Sequence, residues 1–211
     1  MQDYFNEIKE NFIKDVEEHK LKIIKDDGVY RHLLFKNQKR GAYWTEIITS
    51  PNLLTINGDM GTYVFSRLND MFEFFRNDEL KINYHYWTEK LKVNRESYKY
   101  FDIELYKENI IKYIEEYFEE SIDNVDKEFY NDYLKNIIEA EDEIDAMNKI
   151  REFYIYSEDV ILKKLPDSYK YFNFDDFKED WGNCYRPDYR YVWNLFCIVK
   201  IIQEYEKIKE F

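Results

Sequence analysis

Near the start of the chain, apolar residues recur at helical spacing. Phe5, Ile8, Phe12 and Val16, continued by His19 or Ile23, predict one amphipathic helix over residues 3–25. Asp26-Asp27-Gly28 stops it, and the period then shortens. Residues 29–36, 42–49, 53–56 and 62–66 are short runs of aliphatic, β-branched and aromatic side chains, which predict four strands. The intervening segments are turn formers: residues 37–41, Ser50-Pro51-Asn52, and Asn57-Gly58-Asp59-Met60-Gly61 with two positions that tolerate positive φ. Connections this short predict an antiparallel meander.

Helical spacing returns at Asn69, which is placed to cap a short helix reaching Arg76, with Met71, Phe72, Phe74 and Phe75 crowded on it. Beyond Asn77 the pattern is predominantly helical. Ile110, Ile111, Ile114, Tyr117 and Phe118 share a face in 106–120. Val125, Phe129, Tyr133 and Ile137 do so in 122–140, and Met147 and Ile150 in 144–155. Pro166 and Pro187 bound an aromatic, loop-rich segment, and 189–210 reads as a closing helix. The expectation is an α+β fold: an N-terminal helix, a small antiparallel β-meander, then a mainly helical C-terminal half. Its regions are 1–80, helix plus sheet, and 81–211, acidic, Tyr-rich and helical, or else one continuous domain. Tyr43-Trp44-Thr45-Glu46 recurs as Tyr86-Trp87-Thr88-Glu89, but the flanks differ and the echo reads as coincidence.

Composition adds two things to this picture. Aromatic residues make up 19% of the chain against 36% charged, a load that argues against disorder. The net charge is −13, which opposes direct binding to nucleic acid or to an anionic membrane. The first residues lack a basic stretch followed by an apolar core. The most apolar run, 191–202, falls short of the roughly 20 residues that span a bilayer. A cytoplasmic protein with two free thiols, Cys184 and Cys197, is expected.

The charge is unevenly spread. Residues 28–76 hold six basic and four acidic side chains, whereas 101–159 hold six basic and 19 acidic ones. Glu115, Glu116, Glu119 and Glu120 form one cluster, and Glu139, Glu141, Asp142, Glu143 and Asp145 form another. Two readings stand: an acidic surface fitted to a basic groove on a partner, or a solvated helix face that keeps the protein soluble.

Conventional chemistry has little support. His19, His32 and His85 stand in no metal-binding spacing, and no phosphate loop or nucleophile elbow occurs. No metal and no cofactor is called for. Asp102, Glu104 and Lys107 resemble a nuclease triad only loosely. His32 and Asp59 are the weak candidates for a hydrolase, and Cys184 lacks a nearby histidine base. Aromatic stacking on bases conflicts with the negative field. A non-enzymatic protein is the expectation.

Residues 26–76 carry a denser signal. The string runs Asp26-Asp27-Gly28-Val29-Tyr30-Arg31-His32-Leu33, then Tyr43-Trp44, then Gly58-Asp59-Met60-Gly61-Thr62-Tyr63-Val64-Phe65-Ser66-Arg67. It ends with Asp70-Met71-Phe72-Glu73-Phe74-Phe75-Arg76. It resembles a family of small, uncharacterised phage and prophage proteins, with Pro51-Asn52 where that pattern has Pro-Gly. The resemblance covers about a quarter of the chain and implies a mobile-element accessory protein. The expectation that combines it with the charge is a phage protein that binds and inhibits a host nucleic-acid-processing defence effector, as anti-CRISPR proteins do. The nine clustered carboxylates would be its contact surface in the bacterial cytoplasm. A small hydrolase or nuclease, or a phage assembly protein, is the alternative.

Overall fold

The computed structural model describes residues 2–93, 96–153, 155 and 162–209. The N-terminal helix ends earlier than its spacing predicts. Helix α1 is Gln2–Asp15, and His19–Asp27 is a strand, β1. The reason lies in an alternation that the helical reading overrides: Lys20 and Lys22 are exposed, while Leu21 and Ile23 pack against the core. Strands β2 Tyr30–Asn37, β3 Thr45–Ser50, β4 Leu53–Gly58, β5 Gly61–Phe65 and β6 Leu91–Val93 follow, and all six pair in sequence order as an antiparallel meander. Between β5 and β6 lie two short helices, α2 Met71–Phe75 and α3 Tyr84–Thr88. Asp70, not Asn69, caps α2 by accepting from Phe72 N at 2.9 Å. The Tyr-Trp-Thr-Glu echo falls at the start of a strand in one case and on a helix in the other, so it marks no repeated unit.

The chain forms two units, Met1–Lys99 with Pro187–Phe211, and Tyr100–Arg186. The C-terminal helix therefore belongs with the sheet rather than with the helices that precede it, and the sequence boundary near residue 80 falls inside the first unit. Two short strands, β7 Lys99–Phe101 and β8 Tyr185–Pro187, pair with each other.

In the first unit the last helix is the centre of the core. Helix α10, Tyr189–Lys209, is buried without a break from Tyr191 to Val199. A helix that is apolar nearly all round needs cover on several sides, and this unit supplies it. Tyr191 meets Tyr63 and Phe65 of the sheet at 5.1 and 6.3 Å, Trp193 meets Phe12 of α1 at 5.0 Å, and Tyr205 meets Phe72 of α2 at 5.3 Å. Two of the donors this helix buries are paired: Trp193 Nε1 donates to Asp15 at 3.0 Å, and the Asn194 Nδ2 donates to Met60 O at 2.8 Å, whereas Asn194 Oδ1 is buried with no partner among the described residues. Among the described residues no helix is long and apolar enough to cross a membrane.

A buried charge pair ties four elements of this unit. Arg31 of β2, 9% exposed, donates both guanidinium N–H groups to Asp70 at 2.9 and 2.8 Å and stacks on Phe72 at 4.4 Å. Its Nε reaches Tyr205 of α10, whose hydroxyl donates to Asp26 of β1 at 2.8 Å. Burial pushes the Asp70 carboxyl up, but Arg31 and the Phe72 N–H outweigh it and hold it below its usual 3.8.

The second unit begins with α4, Ile103–Phe118. A 3₁₀ turn at Ile122–Asn124 and a helical run follow. The run comprises α5 Lys127–Phe129, a π-helical turn at Tyr130–Leu134, and α6 Lys135–Ile138. Helices α7 Glu143–Glu152, α8 Asp167–Tyr171 and α9 Asp175–Glu179 complete it. Its own core is aromatic: Phe118 lies 4.4 Å from Tyr169, and Phe172 4.9 Å from Phe174.

A Cβ on Gly58 would lie 2.1 Å from the Trp44 carbonyl oxygen, whereas nothing lies within 4 Å of one on Gly41. Gly58→Ala is expected to cost about 1–3 kcal/mol by forcing the β3–β4 backbone apart, and Gly41→Ala less than about 0.5 kcal/mol, as read from urea midpoints. Asp70→Asn is expected to keep the cap but lose about 2 kcal/mol at pH 7. The unfolded carboxyl ionises near 3.8 and the folded one lower, so its contribution is complete above that value and lost as pH falls through the folded pKa. The gap between wild type and variant, measured by denaturation at a series of pH values, is therefore expected to close below about pH 4.

Candidate functional site

Charge separates cleanly between the two units. Tyr100–Arg186 contains 24 acidic and 11 basic residues, net −13, while the other unit contains 20 of each and is neutral. The helices of the second unit therefore carry the whole excess of negative charge.

Helix α4 starts at Asp102, whose carboxylate accepts from Glu104 N and Leu105 N at 3.1 Å and pairs with Arg186. The helix buries Tyr106, Ile110 and Ile114. That leaves Glu104, Glu108, Lys112 and Glu116 exposed at four-residue steps. It ends at Glu119 in a left-handed conformation, with no basic residue in the last turn. Four carboxylates, Glu115, Glu116, Glu119 and Glu120, thus gather where the helix dipole is negative and a cation would be favoured. The helix dipole does not account for that placement.

The predicted residues fall into two kinds. Glu115 accepts from Ile122 N at 2.9 Å, and Glu120 from the Tyr169 hydroxyl at 3.0 Å. Asp142 caps α7 through Asp145 N at 2.9 Å, and Glu143 accepts from the Tyr185 hydroxyl. Asp145 accepts from Glu141 N at 2.9 Å and pairs with Lys149 at 2.7 Å. Lys149 and then that N–H hold the Asp145 carboxyl below its usual range. Glu115, Asp142 and Asp145 hold helix ends, and Glu120 and Glu143 take tyrosine hydroxyls from distant parts of the chain. Asp142, Glu143 and Asp145 sit at a helix N-terminus, where negative charge is stabilising. Glu119, Glu139 and Glu141 are exposed, and Glu116 is exposed beside Lys112 at 3.5 Å.

A further set of carboxylates lies on α9 and the turn after it: Asp175, Asp176, Glu179 and Asp180, all exposed. Its signal was the run from Phe174 to Asp180, in which two phenylalanines alternate with pairs of acids. Glu116 and Asp180 line one small cleft with Tyr113. The Tyr113 phenol is pushed up to about 12 by burial, with Asp176 and Asp175 adding to the effect.

The catalytic candidates are used otherwise. His32 Nε2 lies 2.9 Å from Glu46, which also accepts from Asn57 at 3.0 Å, on the sheet face away from the core. Asp59 is exposed at the β4–β5 turn. Asp102 is a cap, and Glu104 and Lys107 form an exposed pair at 3.4 Å. Burial raises the Cys184 thiol and pushes Cys197 up to about 12, so neither is a thiolate at neutral pH. Among the described residues no group of three or more histidine, cysteine or acidic side chains is arranged to hold a metal. Comparison of the chain with known families, with curated proteins and with solved structures finds no match.

The two kinds of carboxylate separate in a stability measurement. Asp142→Ala is expected to lower stability by about 1 kcal/mol through loss of the α7 cap. Glu139→Gln and Glu141→Gln are expected to stay within about 0.5 kcal/mol of wild type. Equal effects would show that this sorting is wrong.

Proposed function

We propose that the protein is a phage or prophage accessory protein that binds a host nucleic-acid-processing protein and blocks its basic groove with the acidic unit, in the manner of an anti-CRISPR inhibitor. The observation that carries the reading is the confinement of the whole −13 charge to Tyr100–Arg186. Exposed carboxylates in such a unit attract a groove built for phosphates, and steer its approach at low salt. Glu116 and Glu119 add to it, exposed at the end of α4 where the helix dipole disfavours negative charge. The resemblance of residues 26–76 to phage proteins supplies the host setting. The contact residues shift in weight: Glu116, Glu119, Glu139 and Glu141 are open to a partner, joined by Asp175, Asp176 and Glu179. Glu115, Glu120, Asp142, Glu143 and Asp145 mainly shape the surface.

The test is capture of partners from bacterial host lysate on the tagged full chain, with elution by salt and by duplex DNA. A nucleic-acid-processing protein that elutes with either is the expected result. Reversing Glu116, Glu119, Glu139 and Glu141 to lysine is expected to weaken its binding at least about ten-fold and to flatten the salt dependence. Binding that survives the reversal, or recovery of the bait alone, contradicts the proposal.

A further inference from the structure

Helix α7 presents an apolar face that its spacing assigns to the core. Ala146 and Ile150 are the residues it buries. Ile144 and Met147, one turn apart, are 72% and 51% exposed, and Asn148 and Arg151 continue the same face. Opposite them stand Lys178 of α9 and Trp181, enclosing a groove of about 600 Å³ within this unit. Trp181 is fixed in place, stacked on Phe101 at 5.4 Å and packed against Tyr106 at 5.7 Å. The lining is mostly apolar, and its charged groups are both cations.

That sign is against the trend of the unit. Arg151 donates to the Asn148 carboxamide. Among the described residues it has no carboxylate within ion-pair distance, although acids outnumber bases by 24 to 11. Lys178 pairs with Asp175 at 2.9 Å, which leaves Arg151 as the main anchor.

We propose that this groove binds a small organic anion with an apolar body. The body lies along Ile144, Met147, Ile150 and Trp181, and its carboxylate or equivalent oxyanion pairs with Arg151, supported by Lys178. The volume falls within the roughly 300–1,000 Å³ of ligand pockets, and the pattern of apolar walls with a few convergent polar groups is theirs. A protein interface needs about 800 Å² from each partner, far more than two exposed side chains supply. The groove adjoins the carboxylate surface through the Lys178–Asp175 pair, but its anchor Arg151 belongs to the groove alone, so either proposal can fail without the other.

Methionine methyl labelling of the full chain provides the test. Of the described methionines, Met71 is buried and Met60 half-buried, while Met147 lines the groove and reports on it. Decanoate below its micelle concentration is the probe, with decanol and decylammonium as neutral and cationic controls. Decanoate is expected to shift the Met147 methyl saturably with a Kd of about 1 mM or tighter. Arg151→Gln, at an exposed position, is expected to weaken decanoate about ten-fold and leave decanol unchanged. Ile144→Gln is expected to weaken both. Absence of a saturable shift, equal binding of decylammonium, or indifference to Arg151→Gln would overturn the proposal. So would a Met147 response to an acidic helical peptide but not to decanoate.

Discussion

Self-repulsion within Tyr100–Arg186 is the constraint on which the rest depends. A unit with 24 acids and 11 bases is pushed apart by its own field, which its ion pairs offset only in part, so uncharged terms have to supply the rest. Its aromatic content answers that need. Phe118, Phe129, Tyr169 and Phe172 form a connected cluster, with Phe129 4.9 Å from Tyr169 and Phe118 5.2 Å from Phe172. Tyrosine contributes twice, through an apolar ring and a neutral donor. Tyr106 donates to Ile137 O at 2.9 Å, Tyr113 to Asn173 O at 2.8 Å, Tyr117 to Ser168 O at 3.2 Å, and Tyr169 to the Glu120 carboxylate at 3.0 Å. Burial raises the phenols of Tyr106, Tyr113 and Tyr169, so they remain protonated donors well above neutral pH. The Tyr-rich composition is thus the means by which an acidic surface is kept folded without neutralising it.

The other unit solves a different problem. It is electrically balanced, and its polar links lie where the chain must be fixed: Arg31 to Asp70, Tyr205 to Asp26, Trp193 to Asp15. The residues of the 26–76 string are placed here. Asp26, Arg31 and Asp70 join the buried network, and Gly58 passes against the Trp44 carbonyl. The string thus has structural work within this unit. The charge that the functional proposal rests on lies outside it.

The meander was readable because its turns are chemically marked. Gly58 and Gly61 pair across a two-residue turn, and Gly61 takes φ +99°. β1 escaped because Val16, His19 and Ile23 extend the helical period of α1 into a segment whose Lys-Leu-Lys-Ile alternation equally fits a strand. Only the pairing with β2 decides between them. The return of α10 to the sheet is a long-range event that linear order does not encode, although its nearly unbroken apolar stretch signals cover on several sides. The acidic clusters were legible as residues but not as roles. Glu115 and Glu119 look alike in sequence, yet one binds Ile122 N and the other faces water. Met147 shares the spacing of Ile150 yet is exposed, because spacing identifies a face without saying which way it turns.

The central claim is that the entire net charge acts within one unit, and hydrogen exchange as a function of salt tests it most directly. Salt that shortens the Debye length from about 20 Å to a few ångströms relieves repulsion only where net charge is concentrated. Amides of Tyr100–Arg186 are expected to gain protection as salt is raised, while those of Met1–Lys99 and Pro187–Phe211 hold steady. Protection that rises equally in both units, or in the neutral unit alone, would contradict the account.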